Sequence, residues 1–372
     1  MTSFAPSRAA VTPAGADAAG PLHDSTPGVT PTPTVASAMA PAMMPAMTPA
    51  MTPAMALAMG AAMTPGTVAN PGLGAPVRRL REGQLLMICG GLLLGTIGVF
   101  VEEAAQDPAT TVWFRCVFGL AALLLWGAAR GRLGELFRLR ARPLVAVIAV
   151  GALTVLNWVL FFAAIPRCSI AVSTVVFHVQ PFWLMAMGAF WLRERVDRAQ
   201  WLAAAVALCG LALATGIADD AFGATAGGRA SELPGYVSGV LMCLLGSISY
   251  AAASFIAKVA ADHAGSFALS AGQCVIGVLV LLPWPLMHGW PAWGAAWGWL
   301  AGLGVLHTGL AYVVLYAGMA RLGTGRIAVL QFVYPGTAVL VDWLVYGRAL
   351  GPAQLAGVGL IAAALWTLRR RG

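Results

Sequence analysis

Charge is scarce in this 372-residue sequence. Asp, Glu, Lys and Arg make up 10% of it, against 59% hydrophobic residues. The mean hydropathy is +0.81, a balance that no soluble globular core needs. Enzyme signatures are missing too. No Gly-x-x-x-x-Gly-Lys-Ser/Thr string is present to cradle a nucleotide phosphate. Neither a Gly-x-Ser-x-Gly elbow nor a His-Glu-x-x-His pair occurs. The histidines (His23, His178, His263, His288, His307) lie far apart, which argues against a zinc centre. An aspartyl protease needs two facing carboxylates, and only Asp342 sits well within an apolar run. Cys-x-x-Cys is absent, and Cys89, Cys116, Cys168, Cys209, Cys243 and Cys274 are scattered, mostly in apolar runs. They read as free, buried, small side chains rather than disulfides or ligands. An enzyme is therefore not expected, nor a metal, nor a cofactor.

The formal charge of +8 does not point to nucleic acid, because the arginines sit in short clusters between apolar runs. Residues 1–77 stand apart: rich in Pro, Ala, Thr and Met, nearly uncharged, with Met-Thr-Pro-Ala repeating between Met43 and Pro65. Proline at that density forbids a continuous helix, so a disordered tail is expected there. No basic segment followed by an unbroken apolar core marks a signal peptide. Met63 and Met87 are alternative starts, which leaves open whether residues 1–62 belong to the expressed protein.

Beyond Arg81 come apolar runs at roughly 83–104, 109–129, 143–165, 170–192, 199–218, 235–257, 267–287, 296–319, 326–346 and 350–368. Each is about 20 residues, the length that crosses ~30 Å of hydrocarbon as a helix. Their lack of alternation excludes a β-barrel. The fold class expected is an all-α membrane protein of ten spans. With the N-terminus in the cytoplasm, the basic residues of 78–81, 130–142, 193–198, Lys258, 321–326 and 369–371 fall inside. Only Arg167, Arg229 and Arg348 fall outside. That bias places both termini in the cytoplasm.

Residues 157–213 and 311–367 align without a gap at an offset of 154. Arg167 falls on Arg321, Pro181 on Pro335, and Gln200 on Gln354. Arg-Cys-Val-Phe-Gly at 115–119 also echoes Gln-Cys-Val-Ile-Gly at 273–277. Five spans per copy is odd, so the second copy enters the membrane from the opposite face. The domain boundaries expected are a first five-helix repeat at 78–218, an outer linker at 219–234 and an inverted second repeat at 235–372. Inverted repeats commonly hold a substrate between them.

Four stretches together resemble the EamA family of the drug/metabolite transporter superfamily. Pro108, Arg115 and Gly119 in "DPATTVWFRCVFG" resemble its second helix. Pro181, then "FWLRERVDRAQ", resembles its fourth helix and the opening of the fifth. Residues 307–335 resemble its eighth helix, turn and ninth-helix proline, and "LAGVGLIAAALW" its last helix. The resemblance covers about 83–370. It implies a secondary transporter of the inner membrane with proton-driven export. One departure is Arg348, where the pattern repeats the Glu of Glu194.

Charges and polar groups inside spans supply the site residues, because each is costly in lipid. Arg115 suits a substrate carboxylate or phosphate, or a structural partner such as Glu102, Glu103 or Asp342. His178 and Gln180 precede Pro181, and Gln331 and Tyr334 precede Pro335, at matching depth. Asn157, Trp158, Tyr250, Gln273 and Tyr312 complete the expected substrate-binding set, with His307 as a further polar candidate. Asp342 and His178 are the proton-coupling candidates, and Pro181 and Pro335 the hinges. Glu194, beside Arg193 and Arg195, reads as a salt-bridged gate or a structural residue. The partners expected are a small molecule and the lipid bilayer, not nucleic acid, with the chain a monomer or homodimer. Two other readings compete with a transporter: an intramembrane enzyme, and an uncoupled channel or scaffold.

Overall fold

A computed structural model describes residues 75–215, 233–347 and 350–370. Residues 1–74 of the expected tail, 216–218 of the expected first repeat, 219–232 of the expected linker, Arg348 with residue 349, and residues 371–372 lie outside the described residues. Those described form helices and no strand. In order they are α1 (Ala75–Gly95), α2 (Ile97–Ala104), α3 (Pro108–Ala129), α4 (Gly134–Phe137), α5 (Ala141–Cys168), α6 (Ile170–Phe177), α7 (Gln180–Trp191) and α8 (Arg198–Ala214). The second half holds α9 (Leu233–Leu281), α10 (Pro283–His288), α11 (Ala295–Gly302), a π-helical stretch (Leu303–Leu310), α12 (Ala311–Met319), α13 (Thr324–Leu330), α14 (Val333–Tyr346) and α15 (Pro352–Arg370).

Seven of these helical stretches are long and apolar enough to cross a membrane. One, Gly235–His288, covers two of the expected runs and turns at Gly265, whose φ of 71° suits a residue without Cβ. Arg198–Ala214 and Pro352–Thr367 are shorter apolar helices. The first helix opens at Ala75, three residues before the boundary expected at 78, because Pro76 is tolerated in a first turn. Large apolar side chains cover the outside, among them Leu125, Phe190, Leu202, Leu279 and Leu344, each at least 65% exposed. A lipid-facing surface needs such a coat, and a soluble monomer rarely shows one.

Residues identical between the two copies do the same local work. Gln200 accepts from the Asp197 backbone N–H at 3.1 Å, and Gln354 from that of Gly351 at 2.9 Å. Each satisfies a donor left over at a helix start. Arg167 donates to the Ala163 carbonyl and Arg321 to that of Ala317, both at the C-terminal end of a crossing. The copies also interlock. Helix α5 of the first packs on α9, which opens the second, while α12 of the second packs on α1 and the π-helical stretch on α3. Helices α8 and α15 pack on each other so closely that a Cβ on Gly210 would stand 2.6 Å from the Gly357 carbonyl.

Candidate functional site

Two helices are interrupted at equivalent points. Helix α6 ends at Phe177 and α7 begins at Gln180; α13 ends at Leu330 and α14 begins at Val333. Shifting the first break by 154 residues lands within one residue of the second, and it carries Pro181 onto Pro335. Pro181 and Pro335 stand just beyond each break, where their missing N–H groups cannot continue the ladder. Backbone irregularity at membrane depth is tolerated where protein surrounds it. Here Gln180 and Pro181 are buried, as are Gln331 and Pro335.

The breaks face each other. Gln180 Nε2 donates to Gln331 Oε1 at 2.7 Å, which leaves Gln180 Oε1 and Gln331 Nε2 without a partner. His178 stacks on Tyr334 with ring centroids 5.9 Å apart, and its Nδ1 lies 2.6 Å from the Thr174 carbonyl. Its ring is also 6.1 Å from that of Phe332, the residue 154 positions on. A second equivalent pair behaves the same way: Trp158 meets Tyr312 edge to face at 6.0 Å. Residues that pack against their own counterparts are what a local two-fold axis between the copies requires.

Arg115 lies beside the Trp158–Tyr312 pair. Its side chain is 5% exposed, and its guanidinium sits 4.7 Å from the centre of the Trp158 ring. Arg115 Nε donates to Thr308 Oγ1 at 2.8 Å. Thr308 lies in the π-helical stretch, which packs on α3. The two backbones nearly touch there: a Cβ on Gly304 would lie 2.7 Å from the Gly119 nitrogen. Among the described residues no carboxylate forms an ion pair with Arg115. The structural partners considered for it, Glu102, Glu103 and Asp342, do not supply one.

The remaining expected residues divide. Tyr250 joins the cluster through Phe177, 5.9 Å away. Gln273 is buried and accepts from the Tyr316 hydroxyl at 2.5 Å, its Nε2 left without a partner. Asn157 is buried too, but donates to the Gly246 carbonyl at 3.2 Å and so ties α5 to α9. His307 lies within the π-helical stretch, fully buried, with Nε2 2.9 Å from Thr96 Oγ1. Asp342 stands eight residues beyond Tyr334, about 12 Å along α14, and is half-buried. It does not share the cluster. Thr308 is a site residue that sequence reasoning missed, because a threonine in an apolar run carries no signal of its own. Two apolar crevices of about 250 and 440 Å³ lie on other faces, and neither is lined by these residues. The cluster is closely packed: Trp158, His178, Gln180, Gln273, Tyr312 and Gln331 are all buried.

At one end of the bundle Glu194 ties the two copies together. Its carboxylate accepts from the Thr324 backbone N–H and hydroxyl, each at 2.7 Å, and pairs with Lys258 Nζ at 3.0 Å. The same ammonium donates to the Leu322 carbonyl at 2.9 Å. Partial burial would push the Glu194 carboxyl up, but the Thr324 donors and Lys258 outweigh it and hold the carboxyl below its ordinary value. At the other end, Asp107 caps α3 through Ala109 and Thr110 and accepts from Trp284 Nε1 at 2.8 Å. Those donors likewise outweigh its burial and lower its pKa.

The EamA-like transporter family matches two stretches of the chain, residues 81–216 and 237–370. An uncharacterized transporter, YxxF of Bacillus subtilis, is 25% identical over 289 residues, covering 77% of this chain and 89% of that one. The pseudopaline exporter CntI of Pseudomonas aeruginosa is 24% identical over 299 residues, covering 78% and 97%. A solved crystal structure superposes with a TM-score of 0.65 at 22% identity, over 78% of this chain and 99% of that one.

Proposed function

The chain belongs to the EamA-like transporter family, and on that premise we propose that it is a secondary transporter. It would move a small metabolite or amphipathic compound across the inner membrane, outward, by alternating access. In this reading the chain crosses ten times. The seven long apolar stretches contribute eight crossings once Gly265 divides one of them, and α8 and α15 add two. Both termini lie in the cytoplasm and the second repeat is inverted.

One observation carries the proposal. Trp158 packs on Tyr312 and His178 on Phe332, each pair related by the repeat offset, beside two helices broken at equivalent points. An axis through the membrane centre, flanked by broken helices and buried polar groups, is how inverted-repeat transporters build a site. The relative named a pseudopaline exporter supports outward movement of a small molecule. Substrate would be bound by Arg115, Trp158, His178, Gln180, Tyr250, Gln273, Tyr312, Gln331 and Tyr334, with Asn157 a supporting contact. Pro181 and Pro335 would flex. His178 carries the coupling proton in this reading, since Asp342 stands outside the cluster. The Glu194–Lys258–Thr324 contacts form the inner gate, closed in this conformation.

Counterflow in sealed vesicles tests the reading. Vesicles preloaded with an unlabelled metabolite mixture should transiently concentrate a labelled member of that mixture, and the rate should saturate. Flux that never saturates and shows no overshoot would favour a channel, and hydrolysis of the solute would favour an enzyme.

A further inference from the structure

We propose that Arg115 is a carboxylate anchor, so that the transported solute is an organic monoanion with an aromatic or other flat apolar body. The inference rests on the transporter reading and narrows its substrate class. Among the described residues Arg115 is the one Asp, Glu, Lys or Arg that is buried. Its environment satisfies it in part. Nε is taken by Thr308, whose own hydroxyl proton goes to the Leu303 carbonyl at 3.3 Å, so a lone pair faces the guanidinium. One face of the guanidinium lies over Trp158. The two terminal nitrogens form no hydrogen bond or ion pair among the described residues.

A guanidinium with Nε anchored and one face stacked has its end-on fork left over. That fork matches two oxygens of one planar group. A buried charge without a counterion is strongly disfavoured, so the site asks for a negative partner. One positive charge balances one carboxylate, whereas a phosphate monoester near −2 would leave a surplus buried negative charge. The walls fit an apolar body. Trp158, Tyr312 and Tyr316 form a chain of ring contacts at 6.0 and 5.7 Å, and Tyr334 adds a further ring stacked on His178 at 5.9 Å. Such rings offer stacking faces and hydroxyl donors, but no negative charge to hold a cation.

Trp158 reports on the site. Full-length protein in detergent is titrated with benzoate, phenyl phosphate, benzamide and benzylamine, and the fluorescence change of Trp158→Phe is subtracted from that of the wild type. Benzoate should give a saturable difference signal. Phenyl phosphate should bind at least tenfold more weakly, and benzamide and benzylamine should give none. Arg115→Gln should weaken benzoate at least tenfold, and Arg115→Lys should fall between. If Arg115→Gln does not fold, Thr308→Val keeps the charge but frees Nε, and should weaken benzoate severalfold. Equal responses to benzoate and benzamide, unchanged benzoate binding in the variants, or no saturable signal from any anion would overturn the proposal. Phenyl phosphate binding more tightly than benzoate would overturn the choice of a monoanion. The transporter reading fails on a different result, benzoate binding without benzoate counterflow. Saturable counterflow of a neutral solute through Arg115→Gln would retain that reading and reject the anchor.

Discussion

Replacing Glu194 by Gln should loosen the inner gate by a calculable amount. The carboxylate accepts two hydrogen bonds from Thr324 at 2.7 Å and one ion pair from Lys258 at 3.0 Å. An amide oxygen keeps the Thr324 contacts as neutral bonds. Each then drops from the charge-assisted range of about 1.5–3 kcal/mol to about 0.5–1.5 kcal/mol, a loss of about 1 kcal/mol apiece. The pair with Lys258 is partly open to solvent, the two side chains being 16% and 26% exposed, so its screened value is at most about 0.5 kcal/mol. The whole loss is then about 2 kcal/mol, which shifts a closed–open equilibrium roughly thirtyfold. A cysteine at Tyr334, in a background lacking the six native cysteines, reports the opening. Its reaction with a membrane-impermeant thiol reagent added from the cytoplasmic side should accelerate about ten- to thirtyfold in Glu194→Gln. A rate within twofold of the parent, in protein that remains folded, would refute the gate and leave Glu194 a purely structural tie.

The same group makes a pH prediction. A carboxyl whose folded pKa is depressed contributes stability above the unfolded value, near 4.5, and loses it as pH falls through the folded value. Thermal midpoints of the wild type should therefore converge on those of Glu194→Gln as pH drops below about 4.5, and stay apart from pH 5 to 8. For the central amides, Gln180→Leu or Gln331→Leu alone should cost about 1–2 kcal/mol by orphaning the partner. The double variant should cost less than the two together, as a thermal-denaturation cycle would record. Gly210→Val should destabilise by about 1–3 kcal/mol, read as a lowered melting point, since even a Cβ would meet the Gly357 carbonyl at 2.6 Å. Pro181→Ala or Pro335→Ala should alter transport kinetics, and unchanged rates would remove both prolines from the mechanism.

Much of this molecule is legible in its sequence because lipid imposes a length and a composition. Most apolar runs map onto helices within a few residues, although the first helix opens eight residues before its run and Leu233–Leu281 joins two runs. The offset of 154 anticipates the equivalent roles of Gln200 and Gln354 and of Arg167 and Arg321. The same offset relates the pairs that pack together, Trp158 with Tyr312 and His178 with Phe332. Other features have no such periodicity. A π-helical stretch differs from an α-helix by one residue per hydrogen-bonded turn, and the apolar run around 303–310 hides it. Thr308 lies in that stretch, and a threonine in an apolar run carries no signal of its own. The Glu194 contacts join residues 64 and 130 positions away in sequence, so neighbouring side chains gave no hint of them. Asp342 drew attention as a carboxylate in an apolar run. Depth along a helix is readable from sequence, but distance to a partner helix is not.

Inversion of the two repeats is the claim on which the site depends. Ser169 and Gly323 test it, being exposed residues related by the offset at the same turn of each copy. Single cysteines are placed at each in a cysteine-free background and labelled in intact cells with an impermeant maleimide. Ser169→Cys should react from outside, and Gly323→Cys only after the cytoplasmic face is opened. Labelling of both from the same face would contradict the inverted arrangement and remove the axis between the repeats.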